Sequence, residues 1–314
     1  MRRVWRHSQS RGGLVMAPLN LLESVHPSKQ AQERFDGLLG IDMQKQQLRD
    51  ELLLLLAPER LEKWLERHHP DGLLLAESAR RSTPLVILSG EVGCGKTALA
   101  TSVGTPVAKE LGSRVVVLET PSDIRGTGMV GELSARITDA FSQAKAKVRK
   151  DYGLLVIDEA DDLALSRAEL QAHHEDRAGL NVLIKQLDLL QREDHRLGVV
   201  MITNRIGALD PAVRRRAALV LEFSRPGATE RRGIFEQLLT GCPHTVADIN
   251  RLVKQSERPV PYSYSDLFQR VARAALLESW RRDEPLKPES LAAVMADVEP
   301  SPLLGEGAGS RPRD

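Results

Sequence analysis

Short apolar runs alternate with longer stretches of helical periodicity through the middle of the chain. The apolar runs are residues 84–89, 115–118, 153–157, 197–202 and 220–223. Runs of this length, rich in branched side chains, are typical of strands buried on both faces of a parallel sheet. Helical spacing fills the intervals, most clearly over 132–150 and 176–191. The pattern therefore predicts an α/β fold in three layers, a parallel sheet with helices on both faces.

From residue 228 onward only helical spacing remains. The helical segments predicted there are residues 229–239, 246–255, 265–281 and 288–298. They predict a small all-helical domain over residues 228–302, after an α/β domain over residues 34–227. The polar residues 1–33 predict a short flexible or weakly helical arm. The Gly-, Pro- and Ser-rich residues 303–314 predict a disordered tail.

Composition mainly excludes classes of partner. The 314 residues carry a formal net charge of +1 and only 4% are aromatic, so we expect neither a broad nucleic-acid surface nor a base-stacking platform. No apolar run approaches the roughly 18–20 residues of a membrane-spanning helix. The first residues lack the apolar core of a signal peptide. With two cysteines and no disulfide framework, we expect a cytoplasmic protein without a membrane partner.

The strongest chemical signal is the segment GEVGCGKT over residues 90–97, which matches the G-x-x-x-x-G-K-[ST] pattern of a P-loop. Its glycines let the backbone curl until several N–H groups face a phosphate chain, and the following helix adds a partial positive charge. We expect Lys96 to reach the β- and γ-phosphates and the Thr97 hydroxyl to ligate Mg²⁺. The predicted nucleotide-binding residues here are Glu91, Val92, Gly93, Cys94, Gly95, Lys96, Thr97 and Ala98.

Two later strand ends carry side chains that would complete an ATP-hydrolysing site. Asp158 and Glu159 directly follow the apolar run 153–157. Asp158 is expected to hold the Mg²⁺ shell opposite Thr97, and Glu159 to orient and deprotonate the attacking water. Asn204 follows the next strand and is expected to position that water. The alternative is that these are solvated side chains at strand ends, and their position downstream of a P-loop argues against it.

Three consecutive arginines, Arg214 to Arg216, follow the fourth predicted strand. Phosphoryl transfer builds negative charge that an arginine from a neighbouring subunit stabilises. The alternative is a solvated basic turn. Because consecutive side chains point in different directions, the three arginines do not all share one role.

The order of these motifs resembles that of the AAA ATPases. Residues 90–97 resemble the family's Walker A motif, LLVIDEAD its Walker B motif, and MITNR its first sensor. Residues 261–276 are similar to the segment that opens the last helices of the family's small lid domain. FDGLLGID resembles the segment that lines the adenine pocket, which implies Gly40 and Ile41. The resemblance implies ATP and Mg²⁺ as cofactors and a homo-oligomer, a hexameric ring with ATP between subunits.

The chain also departs from the family pattern. Glu91 and Val92 stand where the P-loop usually has prolines, and the usual second finger arginine is replaced by alanine. Either Arg215 or Arg216 must therefore act alone. Met129 and Val130 lie where the family places its first pore loop, with Met129 in place of the usual aromatic residue. The alternative for Met129 is packing into the core.

A narrower resemblance concerns the partner. The segments 158–163 and 181–188 are similar to those of the ATPases that remodel HORMA-domain proteins, whose bacterial members occur beside anti-phage nucleotidyltransferase systems. The resemblance implies a ring motor that remodels or partially unfolds a HORMA-domain protein. The alternatives are an unfoldase that feeds a protease, a nucleic-acid motor or loader, and a nucleotide-gated scaffold. Glu159 and Asn204 argue against the scaffold, because both serve hydrolysis.

Overall fold

The computed structural model describes residues 19–122, 124–126, 131–148, 150–164, 174–192 and 196–303. Its centre is one sheet of six strands in the order β1-β3-β4-β5-β2-β6. The strands are β1 (Leu22–His26), β2 (Leu85–Gly90), β3 (Val115–Glu119), β4 (Tyr152–Ile157), β5 (Leu197–Thr203) and β6 (Leu219–Phe223). Five strands run parallel, and β1 alone pairs antiparallel, with β3. The predicted α/β class and the five predicted strands are confirmed.

The helices connect these strands and then continue beyond the sheet. They are α1 (Lys29–Asp36), α2 (Asp42–Leu56), α3 (Pro58–His68), α4 (Leu74–Arg80), α5 (Lys96–Ser102), α6 (Gly104–Leu111), α7 (Glu132–Lys147), α8 (Ala160–Leu163), α9 (His174–Arg192), α10 (Pro211–Arg214), α11 (Ala228–Leu238), α12 (Val246–Gln255), α13 (Arg273–Arg281) and α14 (Pro288–Asp297). A short 3₁₀ turn (Ile206–Ala208) precedes α10, and a π-helical stretch (Asp266–Ala272) runs directly into α13.

Both faces of the sheet are buried, because successive side chains of a strand point to opposite sides. In β2, Leu85 and Ile87 pack into one core with α7 and α9. Their neighbours Val86 and Leu88 pack into a second core with α2, α5 and α6. The four side chains are fully buried. This two-sided burial explains why β2 to β5 read as continuous apolar runs, whereas Val220 and Glu222 of the edge strand β6 are exposed.

The helices after β6 form a third core, separate from the two sheet faces. Phe235 of α11, Leu252 of α12 and Leu291 of α14 meet there around the buried ring of Tyr262. The Tyr262 hydroxyl donates to the carbonyl of Val298 at 2.6 Å, so the buried phenol also satisfies its polar group. The small all-helical lid is therefore a compact unit that follows the α/β part.

The N-terminal region differs from its prediction. The sequence predicted a flexible or weakly helical arm over residues 1–33, but residues 22–26 form β1 and residues 29–36 form α1. β1 pairs with β3 in the register Leu22 to Glu119 and His26 to Val115. The edge of β3 otherwise leaves a row of backbone N–H and C=O groups unpaired, and β1 satisfies them. The segment LESVH carries no strong strand pattern of its own, so its conformation comes from this partner.

Two shorter helices, α4 and α6, were not predicted as separate elements. Among the helices that the structure describes, none combines the length and the apolar character needed to cross a membrane.

The side chain of His26 fastens β1 to α6. Its Nδ1 lies 2.7 Å from Thr105 Oγ1 and its Nε2 lies 3.1 Å from Ser24 Oγ. A Cβ atom at Gly104 would come within 2.9 Å of the imidazole, so α6 can approach this closely only with glycine there. Burial of the ring lowers the pKa of His26 below its ordinary value of 6.5.

We expect this histidine to make the fold less stable in mild acid. As the pH falls below 6.5, the unfolded chain binds a proton at His26 that the folded chain does not bind, so the free energy of unfolding decreases. The loss is at most about 1.4 kcal/mol for each pH unit. Urea unfolding at pH 7.5 and 5.5 measures it, with His26→Asn as the comparison. Equal losses in the two proteins would contradict the assignment to His26.

Candidate functional site

The candidate site lies at the carboxyl ends of three neighbouring strands, β4, β5 and β2. The parallel register brings Gly90, Asp158 and Asn204 to the same edge of the sheet, where ligands bind in open α/β sheets. A cleft of about 530 Å³ opens there, a volume in the range of small-molecule sites. The cleft is lined by Gly37, Leu38, Leu39, Ile41, residues 92–98, Asp158, Glu159, Ile202, Asn204, Tyr264, Ser265, Phe268 and Gln269.

The loop between β2 and α5 depends on glycine conformations. Gly93 and Gly95 have φ angles of +73° and +89°, which L-residues with side chains rarely adopt. These turns curl the backbone around the cleft. Cys94 points into the core behind the loop, and burial raises the pKa of its thiol to about 11. The thiol therefore stays protonated near neutral pH and serves packing.

Lys96 brings a positive charge to the loop. Its Nζ donates to the carbonyl oxygens of Gly90 at 2.8 Å and Glu91 at 2.7 Å, and the residue is only 5% exposed. Burial lowers the pKa of Lys96, while nearby acidic groups, among them Asp158 and Asp161, oppose that shift. The ammonium is thus held at the inner side of the loop, among the residues that line the cleft.

Thr97 and Asp158 face each other across the cleft. The Thr97 hydroxyl donates to Asp158 Oδ2 at 2.7 Å, and Asp158 Oδ1 accepts from the backbone N–H of Glu159 at 2.8 Å. A hydroxyl and a single carboxylate fit Mg²⁺, which is usually held by one or two protein oxygens together with phosphates and water. Within the described ranges no cluster of three or more His, Cys, Asp or Glu residues could form an all-protein metal cage.

Glu159 adopts a strained backbone conformation. Its φ and ψ are +50° and 43°, in the left-handed region, at the residue that precedes α8. A side chain in this region costs on the order of 1 kcal/mol or more, which glycine would avoid. The exposed Glu159 side chain nonetheless lines the cleft. Strain kept at a carboxylate in a cleft supports a chemical role for it.

Asn204 reaches the cleft from a turn that is fixed by its neighbour. The buried Thr203 hydroxyl donates to Asp161 Oδ1 at 2.9 Å and accepts from the N–H of Arg205 at 2.9 Å. These bonds set the direction in which the chain leaves β5. Asn204 therefore shares the cleft with Asp158 and Glu159.

Sequence reasoning missed the lid side of the cleft. Tyr264 and Ser265, which precede the π-helical stretch, line it together with Phe268 and Gln269. The Ser265 N–H donates to the Gly93 carbonyl at 3.0 Å, so the lid touches the phosphate-binding loop directly. The similarity of the segment 261–276 to the start of the lid helices is the signal that the sequence offers. Its contact with the loop depends on tertiary structure.

Two residues that the sequence predicted for nucleotide binding, Gly40 and Glu91, are not among those that line the cleft. Gly40 is not among the lining residues, and its carbonyl accepts from the Tyr264 hydroxyl at 3.0 Å. Its neighbour Ile41 does line the cleft and is 3% exposed. Glu91 directs its carboxylate away from the cleft to Arg225, at 3.2 Å. Only its backbone takes part in the loop.

The two candidate finger arginines line a different cavity, of about 740 Å³. Arg216 is engaged within its own chain, since it donates to both carboxylate oxygens of Asp188, at 2.7 and 3.1 Å. These hydrogen bonds lower the pKa of Asp188. Arg215 is exposed, and within the described part of the chain no hydrogen bond or ion pair engages its side chain. Arg215 is thus the one available to a neighbouring molecule. The pore-loop candidates Met129 and Val130 lie outside the described residues.

Comparisons with known proteins extend over both parts of the chain. Residues 86–225 match the model of the ATPase family associated with various cellular activities (AAA). The chain is 35% identical over 291 residues to CD-NTase-associated protein 6 of Escherichia coli strain MS 115-1, covering 88% of this chain and 93% of that protein. A chain of the E. coli MS115-1 HORMA:CdnC:Trip13 complex superposes with a TM-score of 0.85 at 34% identity, over 90% of this chain and 97% of that chain. Rhizobiales Trip13 superposes with a TM-score of 0.71 at 31% identity, over 89% of this chain and 98% of that chain.

We expect Lys96→Ala to abolish nucleotide binding, a loss of about 100-fold or more, because a charge-assisted contact to phosphate disappears. The fold should persist, since Lys96 Nζ bonds only two backbone carbonyls. Titration with a fluorescent ATP analogue measures affinity, and circular dichroism checks the fold. Lys109→Ala is the matched control, because this exposed lysine on α6 bonds Gln32 away from the cleft. Unchanged affinity in a folded Lys96→Ala protein would refute the site.

Proposed function

This chain belongs to the AAA family of ATPases, and we propose that it uses ATP hydrolysis to remodel a HORMA-domain protein in an anti-phage system. The observation that carries the proposal is the single cleft that holds the P-loop, the Thr97–Asp158 pair, Glu159 and Asn204. The partner is proposed from the relatives: one is named for its association with CD-NTases, and another occurs in a HORMA:CdnC:Trip13 complex.

Each cleft residue has a role that its position supports. Lys96 and the loop N–H groups would bind the phosphates of ATP, and Thr97 with Asp158 would hold Mg²⁺. Bound Mg²⁺ would neutralise charge on the phosphates. The Glu159 carboxylate would accept the proton of the attacking water, and the Asn204 amide would orient that water. Ile41 would pack against the adenine, with Gly40 held next to it by Tyr264.

The catalytic set within one chain is incomplete, which supports a ring. Among the residues that the structure describes, none of those that line the cleft is an arginine, although phosphoryl transfer is strongly accelerated by a cation opposite the γ-phosphate. Arg215 is exposed and lies in another cavity, so it would serve the cleft of the adjacent subunit. Six subunits, the usual number in the family, would place one such arginine at every interface.

We propose that residues 129 and 130, which precede α7 in the sequence, contact the partner. Met129 and Val130 stand between two glycines in the sequence, and six copies would form an apolar collar at the centre of a ring. Methionine contacts chains of varied sequence through a flexible, polarisable side chain. Such a collar would bind an extended segment of the HORMA-domain protein without sequence specificity.

Glu159→Gln should bind ATP normally and hydrolyse it about 100-fold or more slowly, because only the water-activating carboxylate is lost. A HORMA-domain protein from the same genome should then stay bound to the variant and remain unconverted. Phosphate release, nucleotide titration and size-exclusion chromatography of the mixture measure the three effects. Wild-type turnover in this variant would exclude Glu159 as the base. Normal hydrolysis by the wild-type protein without any conversion of the partner would reject the proposed substrate.

Arg215→Ala should lose ATP hydrolysis on its own and regain part of it when mixed with Lys96→Ala subunits. In the mixed ring, some interfaces join an intact cleft to an intact Arg215. Arg216→Ala is the comparison: it breaks the bond to Asp188, so it should lower the melting temperature yet keep most of the hydrolysis. Absence of rescue, in mixed rings verified by native mass spectrometry, would count against a finger in trans.

A further inference from the structure

Arg225 occupies an unusual position, in the linker between β6 and α11 that joins the α/β part to the lid. Its side chain is only 4% exposed, yet all three guanidinium nitrogens donate hydrogen bonds. Nη1 donates to the carbonyls of Pro261 and Ser301, each at 2.7 Å, and Nη2 donates to Pro302 at 2.8 Å. Nε and Nη2 also donate to Glu91 Oε2, at 3.4 and 3.2 Å. One side chain thus joins the linker to three segments that are distant from it in sequence.

The Glu91 end of this cluster belongs to the phosphate-binding loop. The backbone N–H of Glu91 donates to the Phe223 carbonyl at 2.9 Å. The carboxylate of Glu91 accepts from Arg225, which lies two residues after Phe223. Glu91 also supplies one of the two carbonyls that accept from Lys96. Glu91 therefore connects the linker to Lys96, whose ammonium we assign to the phosphates. A shift of the linker would move Lys96 through Glu91.

The other end belongs to the lid. Pro261 precedes the turn that carries Tyr264 and Ser265 to the cleft, and Ser301 follows the last helix. Asp266 ties these two segments together, because it accepts from the N–H groups of Ser263, at 2.9 Å, and Ser301, at 3.2 Å. Burial raises the pKa of Asp266, but its hydrogen bonds outweigh burial and bring it to about 2. Asp266 therefore stays ionised and keeps the lid side of the cluster together.

We propose that Glu91 and Arg225 are positioning residues that latch the lid onto the phosphate-binding loop and thereby slow nucleotide release. The cleft has walls from both units, so separation of the two would ease the release of a nucleotide bound there. A buried guanidinium is stable only with its partners present, and removal of Glu91 leaves a buried charge uncompensated. The pair accounts for the glutamate where the family usually has proline. The inference rests on the proposed assignment of the cleft as the nucleotide site.

The test measures dissociation of a fluorescent ADP analogue with Mg²⁺ by stopped flow, in wild type, Glu91→Ala, Glu91→Gln, Arg225→Ala and the double Ala variant. We expect release to be about tenfold faster in Glu91→Ala. The double variant should match Arg225→Ala within about twofold, because Glu91 acts through that arginine. Arg258→Ala is the control: it removes an arginine–carbonyl bond to Met295 inside the lid and should leave release unchanged.

Melting temperatures of all variants separate a latch from general stabilisation. A lower melting temperature for Glu91→Ala with wild-type release, measured well below that temperature, would overturn the proposal. Should Arg225→Ala fail to fold, the release rates of Glu91→Ala and Glu91→Gln are sufficient to test the proposal. These two variants leave the lid contacts of Arg225 in place. A wild-type protein that does not bind the analogue would instead reject the proposed nucleotide site.

Discussion

The close contact between the ends of β2 and β6 is the constraint on which the nucleotide cleft depends. Gly90 has a φ of +124°, and a Cβ atom there would lie 2.0 Å from the Phe223 carbonyl oxygen. Only glycine satisfies both the conformation and the approach. The next residue donates its N–H to that same carbonyl. The phosphate-binding loop therefore starts beside the end of β6, the strand that leads into the lid, and the loop, the cleft and the linker share one anchor.

The elements that form the site differ in how firmly the rest of the structure holds them. The strand ends are held by a sheet buried on both faces, so Asp158 and Asn204 have little freedom in their backbone positions. The lid contributes its wall of the cleft through a few polar contacts, such as that of Ser265 with Gly93. Contacts of this kind are individually modest, so they are the part of the site that a nucleotide or a partner can shift. The proposed motor function would require this combination of a fixed edge and a movable wall.

The sequence by itself determined the features that reside in local patterns. The apolar runs located five strands, and four of them, β2 to β5, are buried on both faces, where polar residues are disfavoured. The spacing of residues 90–97 located the phosphate-binding loop, and the acids after β4 located the side chains that share its cleft. The order of these motifs was enough to place the chain in its family. Each of these features requires particular residue types at consecutive positions, so each can be predicted from the sequence alone.

Tertiary structure decided what depends on partners distant in the chain. Residues 22–26 form a strand only because the edge of β3 is open to them. Our proposal of Arg215 and not Arg216 as the finger rests on Asp188, a residue on another helix that engages Arg216. The contact that explains Glu91 in the phosphate-binding loop is with Arg225, which is 134 positions away. Long-range hydrogen bonds and ion pairs leave no periodic trace in a sequence, because their geometry exists only once the helices and strands have packed.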